Sequence, residues 1–209
     1  MNLETWLAFL VAAILISASP GAGAIACMTT GMRHGYRLGV WNILGMQIGI
    51  GLQLAVVGVG LGAVLATSTF AFNVLKWLGV AYLAWLGWRA WNTPAVPVSV
   101  DRTALPAVTR SELFVQGFLV NATNPKATVF FLAVLPQFID AARSLLAQYL
   151  VVVATLSVID TVVMSGYTLF AAKVLSLLRA PRQMRLMNRL FGGLFIGAAA
   201  LLASFKRAA

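Results

Sequence analysis

Long apolar stretches, separated by short segments that contain most of the charged residues, follow one another along the whole chain. An uncharged apolar run of about 20 residues is long enough to cross the hydrocarbon core of a bilayer as an α-helix. When single charges are bridged, the pattern predicts six such helices, at roughly 5–27, 41–66, 70–92, 113–135, 146–170 and 189–206. We therefore expect an all-α polytopic membrane protein with six transmembrane helices.

One segment, residues 93–112, interrupts this pattern with a different composition. It contains three prolines and a group of charged residues, namely Pro94, Pro97, Asp101, Arg102, Pro106 and Arg110. Prolines and charges at this density are typical of a loop. We expect residues 93–112 to form a cytoplasmic linker between a first three-helix repeat, residues 1–92, and a second three-helix repeat, residues 113–209.

The first and fourth predicted helices are each interrupted by proline at a similar depth. Serine and asparagine are favoured N-caps, and proline is favoured at the first helical position, so each interruption predicts the start of a half-helix. Three helices per half place the halves in opposite orientations, and paired interruptions are typical of inverted-repeat transporters. The alternative is that each proline only kinks a packed helix. The interruptions are Ser19-Pro20-Gly21, followed by Gly23, and Asn124-Pro125-Lys126.

The two interruptions predict a substrate site near the middle of the membrane. Half-helix N-termini present positive dipole ends and amide donors, which favour a carboxylate. The glycines at 21 and 23 let backbone approach a ligand closely. Lys126 and Asp160 are the ionisable residues deep within the predicted helices, where each costs about 2.5–3.5 kcal/mol if it faces lipid. We therefore expect both charges to face the inside of the helix bundle.

Lys126 and Asp160 are predicted at similar depths, which allows them to form an ion pair. Protonation of Asp160 would then release Lys126 to bind a substrate carboxylate, which provides a route to proton-coupled exchange. The alternative is a permanent ion pair that only holds the helices together. Further polar candidates for the substrate path are Gln47, Asn121 and Tyr167, although such residues often only form hydrogen bonds between helices.

Pairs of small residues at close-packing spacing also occur in the apolar runs. They are Gly45 with Gly49, Gly58 with Gly62, and Gly193 with Gly197, and we interpret them as helix-packing positions. Packing within one chain and contact in a homodimer would use them equally well, so both alternatives stay open.

The positions of the charged residues predict how the protein is oriented in the membrane. The formal net charge is +10, but only 10% of residues are charged and 61% are hydrophobic, which excludes a water-soluble fold. Ten of the fifteen basic residues fall in the odd-numbered connections, so the positive-inside rule places both termini in the periplasm. Lys206 and Arg207 at the C-terminus argue for the opposite orientation.

Several other classes of protein are excluded by the same sequence. The sequence has no basic face with interleaved aromatic residues, so we do not expect it to bind nucleic acid. The single cysteine, Cys27, excludes an internal disulfide, and the single histidine, His34, excludes a histidine metal cluster or triad. The N-terminus contains Glu4 and no early Lys or Arg, so we expect a retained first helix rather than a signal peptide. We expect no cofactor.

These motifs resemble the lysine-exporter (LysE/RhtB) family of bacterial amino-acid exporters, in its homoserine/threonine-resistance branch. The Ser-Pro-Gly and Asn-Pro-Lys interruptions are family hallmarks, and the likeness runs from near Met1 to the C-terminus. Many relatives have Pro-Gly-Pro in the first helix, whereas position 22 here is alanine. The likeness is also carried by Met28-Thr29-Thr30, His34-Gly35-Tyr36-Arg37, Val57 to Gly62, Leu75-Lys76-Trp77, and Asp160 with Val163-Met164 and Gly166-Tyr167.

The resemblance implies a secondary exporter in the bacterial inner membrane, driven by protons and acting on homoserine, homoserine lactone or threonine. Two alternatives remain open at this point, a passive channel for small polar metabolites and an exporter of another amino acid, such as leucine or a basic amino acid. An intramembrane enzyme is not expected, because no nucleophile with its base and no ligand cluster occurs at membrane depth. The expected partners are an amino-acid-like substrate, protons and the lipid bilayer.

Overall fold

The computed structural model describes residues 1–67, 69–94, 108–140, 142–171, 173 and 181–204, and this part of the chain is helical with no strand. A 3-10 turn, Leu135–Phe138, joins the fifth and sixth helices. Most of the expected linker, with Arg102, and the C-terminal Lys206 and Arg207 lie outside the described residues. The helices are α1 (Leu3–Ala18), α2 (Ala22–Thr67), α3 (Thr69–Asn92), α4 (Arg110–Ala122), α5 (Pro125–Val134), α6 (Leu145–Leu169) and α7 (Pro181–Ser204).

Both predicted interruptions are present as breaks between helices. At the second break Pro125 begins α5, and the Asn124 side chain accepts a hydrogen bond from the Lys126 backbone N–H, as the sequence predicted. At the first break the predicted N-cap is wrong. Ser19 caps the C-terminus of α1, with its N–H donating to Leu15, and the new helix begins at Ala22. The extended backbone of Ser19 is the conformation that a following proline imposes.

A third interruption, at Gly35, divides α2 into two stretches. Its φ of 74° and ψ of 173° lie in a region that only glycine adopts readily. The stretch from 22 to 34 continues the first predicted helix past its break, and the stretch from 36 onwards is the second predicted helix. The predicted connection around Arg33 and Arg37 is therefore reduced to one non-helical residue.

The six-span count stays a prediction. Two helical stretches, Ala22–Gly58 and Leu145–Leu169, are long and apolar enough to cross a membrane among the described residues, and Leu3–Ala18 is a shorter apolar helix. With 16, 13 and 10 residues, α1, α4 and α5 are each too short to cross alone, because the breaks divide the first and fourth predicted spans. The last helix begins at Pro181, eight residues before the predicted start. The predicted start was late because the first two turns contain arginines, and the prediction counted only apolar runs.

Glycines allow backbones to meet at three places in the bundle, the first of which is Gly31 of α2 against the backbone of Thr168 in α6. A methyl group at Gly45 or Gly117 would overlap the backbone of the facing helix, so α2 and α4 are in direct backbone contact. The pair Gly87 and Gly192 does the same for α3 and α7. The predicted packing at Gly45 and Gly49 is confirmed, whereas a side chain at Gly197 would meet nothing within 4 Å. In α7 the packing position is Gly192, next to the predicted Gly193.

The outer surface of α6 shows which side of the bundle is apolar. Its exposed positions include Leu146, Leu150, Val158 and Val162, each more than 60% exposed, whereas Gln148, Asp160 and Thr168 are buried. A helix with its polar side chains inside and its large apolar side chains outside suits a lipid environment. The functional site is therefore expected in the buried, polar part of the bundle.

Candidate functional site

The two helix breaks meet around one cavity of about 50 Å³ between α1, α2, α4, α5 and α6. This volume holds only a few water molecules. Apolar walls come from Ile16, Met46, Ile50, Phe131, Leu156 and Met164. The sequence-predicted residues that line the cavity are Ser19, Gly21, Gly23, Asn121, Asn124, Lys126 and Asp160.

Lys126 reaches across this cavity to the C-terminus of α1. Its Nζ donates hydrogen bonds to the carbonyl oxygens of Ser19, at 2.9 Å, and Ile16, at 3.1 Å. The last carbonyls of a helix have no partner within the helix and carry its negative dipole end, so a cation there is favoured. Tyr167 from α6 completes the arrangement, because its hydroxyl donates to the Ala18 carbonyl at 2.6 Å.

This contact corrects the expected arrangement of the first break. The sequence predicted that Lys126 would stand beside half-helix N-termini as part of an anion site. In the structure the ammonium group instead neutralises the C-terminal end of a half-helix, although Gly21 and Gly23 near the start of α2 line the same cavity. The reason is that the unpaired carbonyls of α1 need donors inside an apolar bundle.

Asp160 of α6 also lines the cavity and is only 6% exposed. Its Oδ2 accepts a hydrogen bond from Gln47 Nε2 at 2.9 Å, and the Ser17 hydroxyl is a further polar neighbour. Lys126 and Asp160 share the cavity but form no ion pair within 4.0 Å in this structure, so the hypothesis of a direct pair is not borne out here. Each charge has found neutral hydrogen-bond partners instead.

The remaining predicted residues divide into three kinds of position. Gln47 and Tyr167 do not line the cavity but hydrogen-bond to groups at its edge, Asp160 and Ala18. Asn121 lines the cavity, yet its side-chain amide donates to the Met46 carbonyl at 3.1 Å, which is the interhelical role given as the alternative. Pro20 and Pro125 lie in the breaks and shape the backbone there. The roles of all these residues in transport stay predictions.

Besides the apolar walls, sequence reasoning missed several residues at the site. Ser17, Met46 and Met164 line the cavity, and Gln53 binds the backbone of the second break. Gln53 lies in the same apolar run as Gln47, so the criterion that selected Gln47, an amide within a predicted span, could also have found it. Serine and methionine give no such signal in an apolar segment.

Comparison with known proteins decides the family. The model of the LysE type translocator family matches residues 14–205. This chain belongs to that family. The LysE-family protein is 44% identical, over the full length of both chains, to the homoserine/homoserine lactone efflux protein of Salmonella typhimurium. It is also 40% identical to an uncharacterized membrane protein of Vibrio cholerae, over 99% of this chain and all of that one.

More distant relatives are named for a different substrate. The leucine efflux protein of an Enterobacter strain is 31% identical over 94% of this chain and 93% of its own length. No solved structure shows significant similarity to this chain. The LysE-family protein is therefore a membrane protein whose relatives are named as efflux transporters rather than enzymes.

Proposed function

We propose that this LysE-family protein exports homoserine, homoserine lactone and threonine from the bacterial cytoplasm across the inner membrane, in exchange for protons. The observation that carries the proposal is the shared cavity at the two breaks, which is lined by one partly buried cation, Lys126, and one buried anion, Asp160, that form no ion pair. Full-length similarity to a protein named for homoserine and homoserine lactone efflux supports the choice of substrate.

A zwitterionic amino acid supplies each of the two charges with a partner of opposite charge. Its carboxylate binds Lys126 Nζ, and the charged hydrogen bond replaces those that Lys126 makes to Ile16 and Ser19. Its ammonium group binds Asp160 and Gln47 Oε1, a buried oxygen that has no hydrogen-bond partner in the described structure. The cavity widens to admit the substrate, for which the flexible side chains of Met46 and Met164 are suited.

Proton coupling follows from competition at Asp160. The ionised carboxylate binds the substrate ammonium on the cytoplasmic side, and a proton taken up from the periplasm displaces the substrate after the site has opened outward. The protonated carboxyl then allows the empty protein to return. The inverted repeat, with broken helices in residues 1–92 and 113–209, provides two alternative openings of one site in this proposal.

The substrate pair offers a direct test, because homoserine lactone has an ammonium group but no carboxylate. In inverted membrane vesicles, we expect Lys126→Met to lower the initial uptake of labelled homoserine at low concentration by about 10-fold or more, as expected for about 1.5–3 kcal/mol of lost charged hydrogen bonding. In the same Lys126→Met vesicles, we expect the uptake of labelled homoserine lactone to fall less than threefold.

Lys76→Met is the matched control for this test. Lys76 is also a buried lysine whose Nζ donates to a carbonyl near a helix C-terminus, that of Ala203 at 2.9 Å, but it does not line the cavity. We expect it to leave the ratio of homoserine to lactone uptake unchanged. Equal losses of both substrates in Lys126→Met would contradict the binding mode, and no uptake of either by the unaltered protein would contradict the proposed function.

A leucine exporter is the second candidate. The apolar residues Phe131 and Leu156 in the cavity wall, and the relatives named for leucine efflux, favour it. Adding labelled leucine to the same vesicles distinguishes the two candidates. A passive channel is recognised by uptake that an uncoupler of the proton gradient does not change.

A further inference from the structure

The two helix breaks are held by different chemistry. At the first break the donors to the exposed carbonyls are Lys126 and Tyr167. At the second break the donor from another helix is a neutral amide, that of Gln53 in α2, and the Thr128 hydroxyl of α5 also donates to the Asn124 carbonyl. Its Nε2 lies 3.3 Å from the carbonyl oxygens of Ala122 and Asn124 and 2.7 Å from Thr128 Oγ1.

The surroundings of Gln53 show that the nitrogen of its side-chain amide, and not the oxygen, makes its hydrogen bonds. Gln53 is only 5% exposed, and its Oε1 has no hydrogen-bond partner in the described structure. Exchanging the two ends of the amide would place an oxygen against the carbonyls of Ala122 and Asn124, which can only accept hydrogen bonds. A buried acceptor is thus left unpaired so that the nitrogen can hold the break, which is an unusual arrangement for a side chain that only fills space.

The same break sets the position of Lys126. Asn124 is held through both its backbone and its side chain, because its carbonyl accepts from Gln53 and from the Thr128 hydroxyl, while its side chain accepts from the Lys126 backbone N–H at 3.1 Å. Four residues before Gln53, Gly49 lets α2 approach the end of α4, since an added Cβ would lie 2.9 Å from the Ala122 nitrogen. Gln53 and Gly49 therefore form one contact surface of α2 against the backbone that precedes Lys126.

We propose that Gln53 is a positioning residue for the substrate carboxylate, acting through Lys126. Its amide fixes the Asn124-Pro125 break so that the Lys126 ammonium group points into the cavity. This inference rests on the proposed function, and it adds a residue that contacts no part of the substrate. Because Gln53 acts only through Lys126, its loss affects substrates that bind Lys126 and spares those that do not.

The test compares Gln53→Met, which keeps the length of the side chain but removes the donor, with Lys126→Met and the double variant. In inverted vesicles at matched protein amounts, we expect Gln53→Met to reduce homoserine uptake at least fivefold and homoserine lactone uptake less than twofold. The double variant transports homoserine no worse than Lys126→Met alone, because two residues that act as a unit are not additive.

Gln137→Met serves as the control, since Gln137 is a partly buried glutamine on the 3-10 turn whose Nε2 has no partner in the described structure. It leaves both uptakes unchanged. If Gln53→Met does not accumulate as folded protein, Gln53→Asn keeps the donor with a shorter reach and shows the same substrate preference in weaker form. Equal losses of homoserine and lactone, or additive losses in the double variant, would overturn the positioning role. If the unaltered protein takes up neither compound, the proposed function is overturned instead.

Discussion

Lys126 and Asp160 are two opposite charges in one small cavity, and each is bound by neutral groups. Lys126 binds backbone carbonyls at the end of α1, and Asp160 binds the Gln47 amide. A direct ion pair would neutralise both residues and would have to be broken for each transport cycle. Neutral partners satisfy the buried charges while leaving them available to a zwitterion, so the separation of the charges is itself part of the proposed binding mode.

The Asp160 carboxylate is the residue on which proton coupling depends. Asp160→Asn keeps the size of the side chain and can still hydrogen-bond to Gln47, but it cannot bind or release a proton. We expect an imposed pH gradient to drive no more homoserine uptake into Asp160→Asn vesicles than into vesicles without the protein. Asp140→Asn is the control, because Asp140 is a half-exposed carboxylate paired with Arg143 outside the cavity. Full gradient-driven uptake by Asp160→Asn would rule out the proton role.

Gly35 is the residue that permits α2 to change direction. At its φ of 74° an alanine is strained by about 1–3 kcal/mol, although a methyl group there would meet nothing within 4 Å. We expect Gly35→Ala to lower the melting temperature of the detergent-purified protein, measured by tryptophan fluorescence. Gly51→Ala also places a methyl in open space, but within a regular helix, so it should leave the melting temperature unchanged or raise it slightly. A similar response of the two variants would show that the conformation of Gly35 is not required.

At the scale of the elements, the protein is built from helices that end inside the bundle. Every such end leaves backbone groups without partners, and the structure satisfies them with side chains from other helices, Lys126 and Tyr167 at α1 and Gln53 at α4. The C-terminal ends of α1 and α4 therefore depend on tertiary contacts. The starts of α4 and α5 are different, because their caps are local.

The α4 capping box predicts a pH dependence. Thr109 and Glu112 exchange hydrogen bonds with each other's backbone N–H groups, and these bonds hold the pKa of Glu112 below its usual range. A lowered pKa means that this stabilisation is complete above the unfolded pKa, near 4.5, and is lost as pH falls through the folded value. We expect the melting temperature of the native protein to exceed that of Glu112→Ala at pH 6, and the difference to shrink by pH 3. A difference that is constant over this range would contradict the assignment.

At the scale of the whole molecule, the distribution of basic residues predicts the direction in which the helices cross the bilayer. The end of the first helix–break–helix unit at Arg33, His34 and Arg37 is basic, and Arg110 at the start of α4 stacks on Trp41 near this end. From the positive-inside rule we expect this end in the cytoplasm and the N-terminus in the periplasm. We then expect export to run from the basic end towards Met1.

Thiol labelling tests this orientation, because Cys27 is the only cysteine and is buried. In a Cys27→Ser background, we expect Asn2→Cys to react with a membrane-impermeant maleimide in intact cells. His34→Cys reacts only after the membranes are inverted. The reverse pattern would place both termini in the cytoplasm and would exchange the entry and exit sides of the proposed site.

The local chemistry of the sequence was enough to locate the breaks, the buried charges and the family. Proline, asparagine and glycine act on the backbone within one or two residues of themselves, so Asn124-Pro125 predicted the start of α5 and the interruption after Ala18 was expected. Charges and amides stand out in apolar runs because burying them is costly. For this reason Lys126, Asp160, Gln47 and Asn121 were found from the chain alone.

Only the tertiary structure decided which partner each of these groups takes. Direct pairing of Lys126 with Asp160 was a hypothesis, but in the structure the long Lys126 side chain brings its ammonium group to the carbonyls of Ile16 and Ser19. The approach of α2 to α4, permitted by Gly45, Gly49 and Gly117, places Gln53 on the second break, and no local pattern announces that contact. A hydrogen bond between helices depends on distances set by residues far apart in the chain, whereas a helix break depends on its own neighbours.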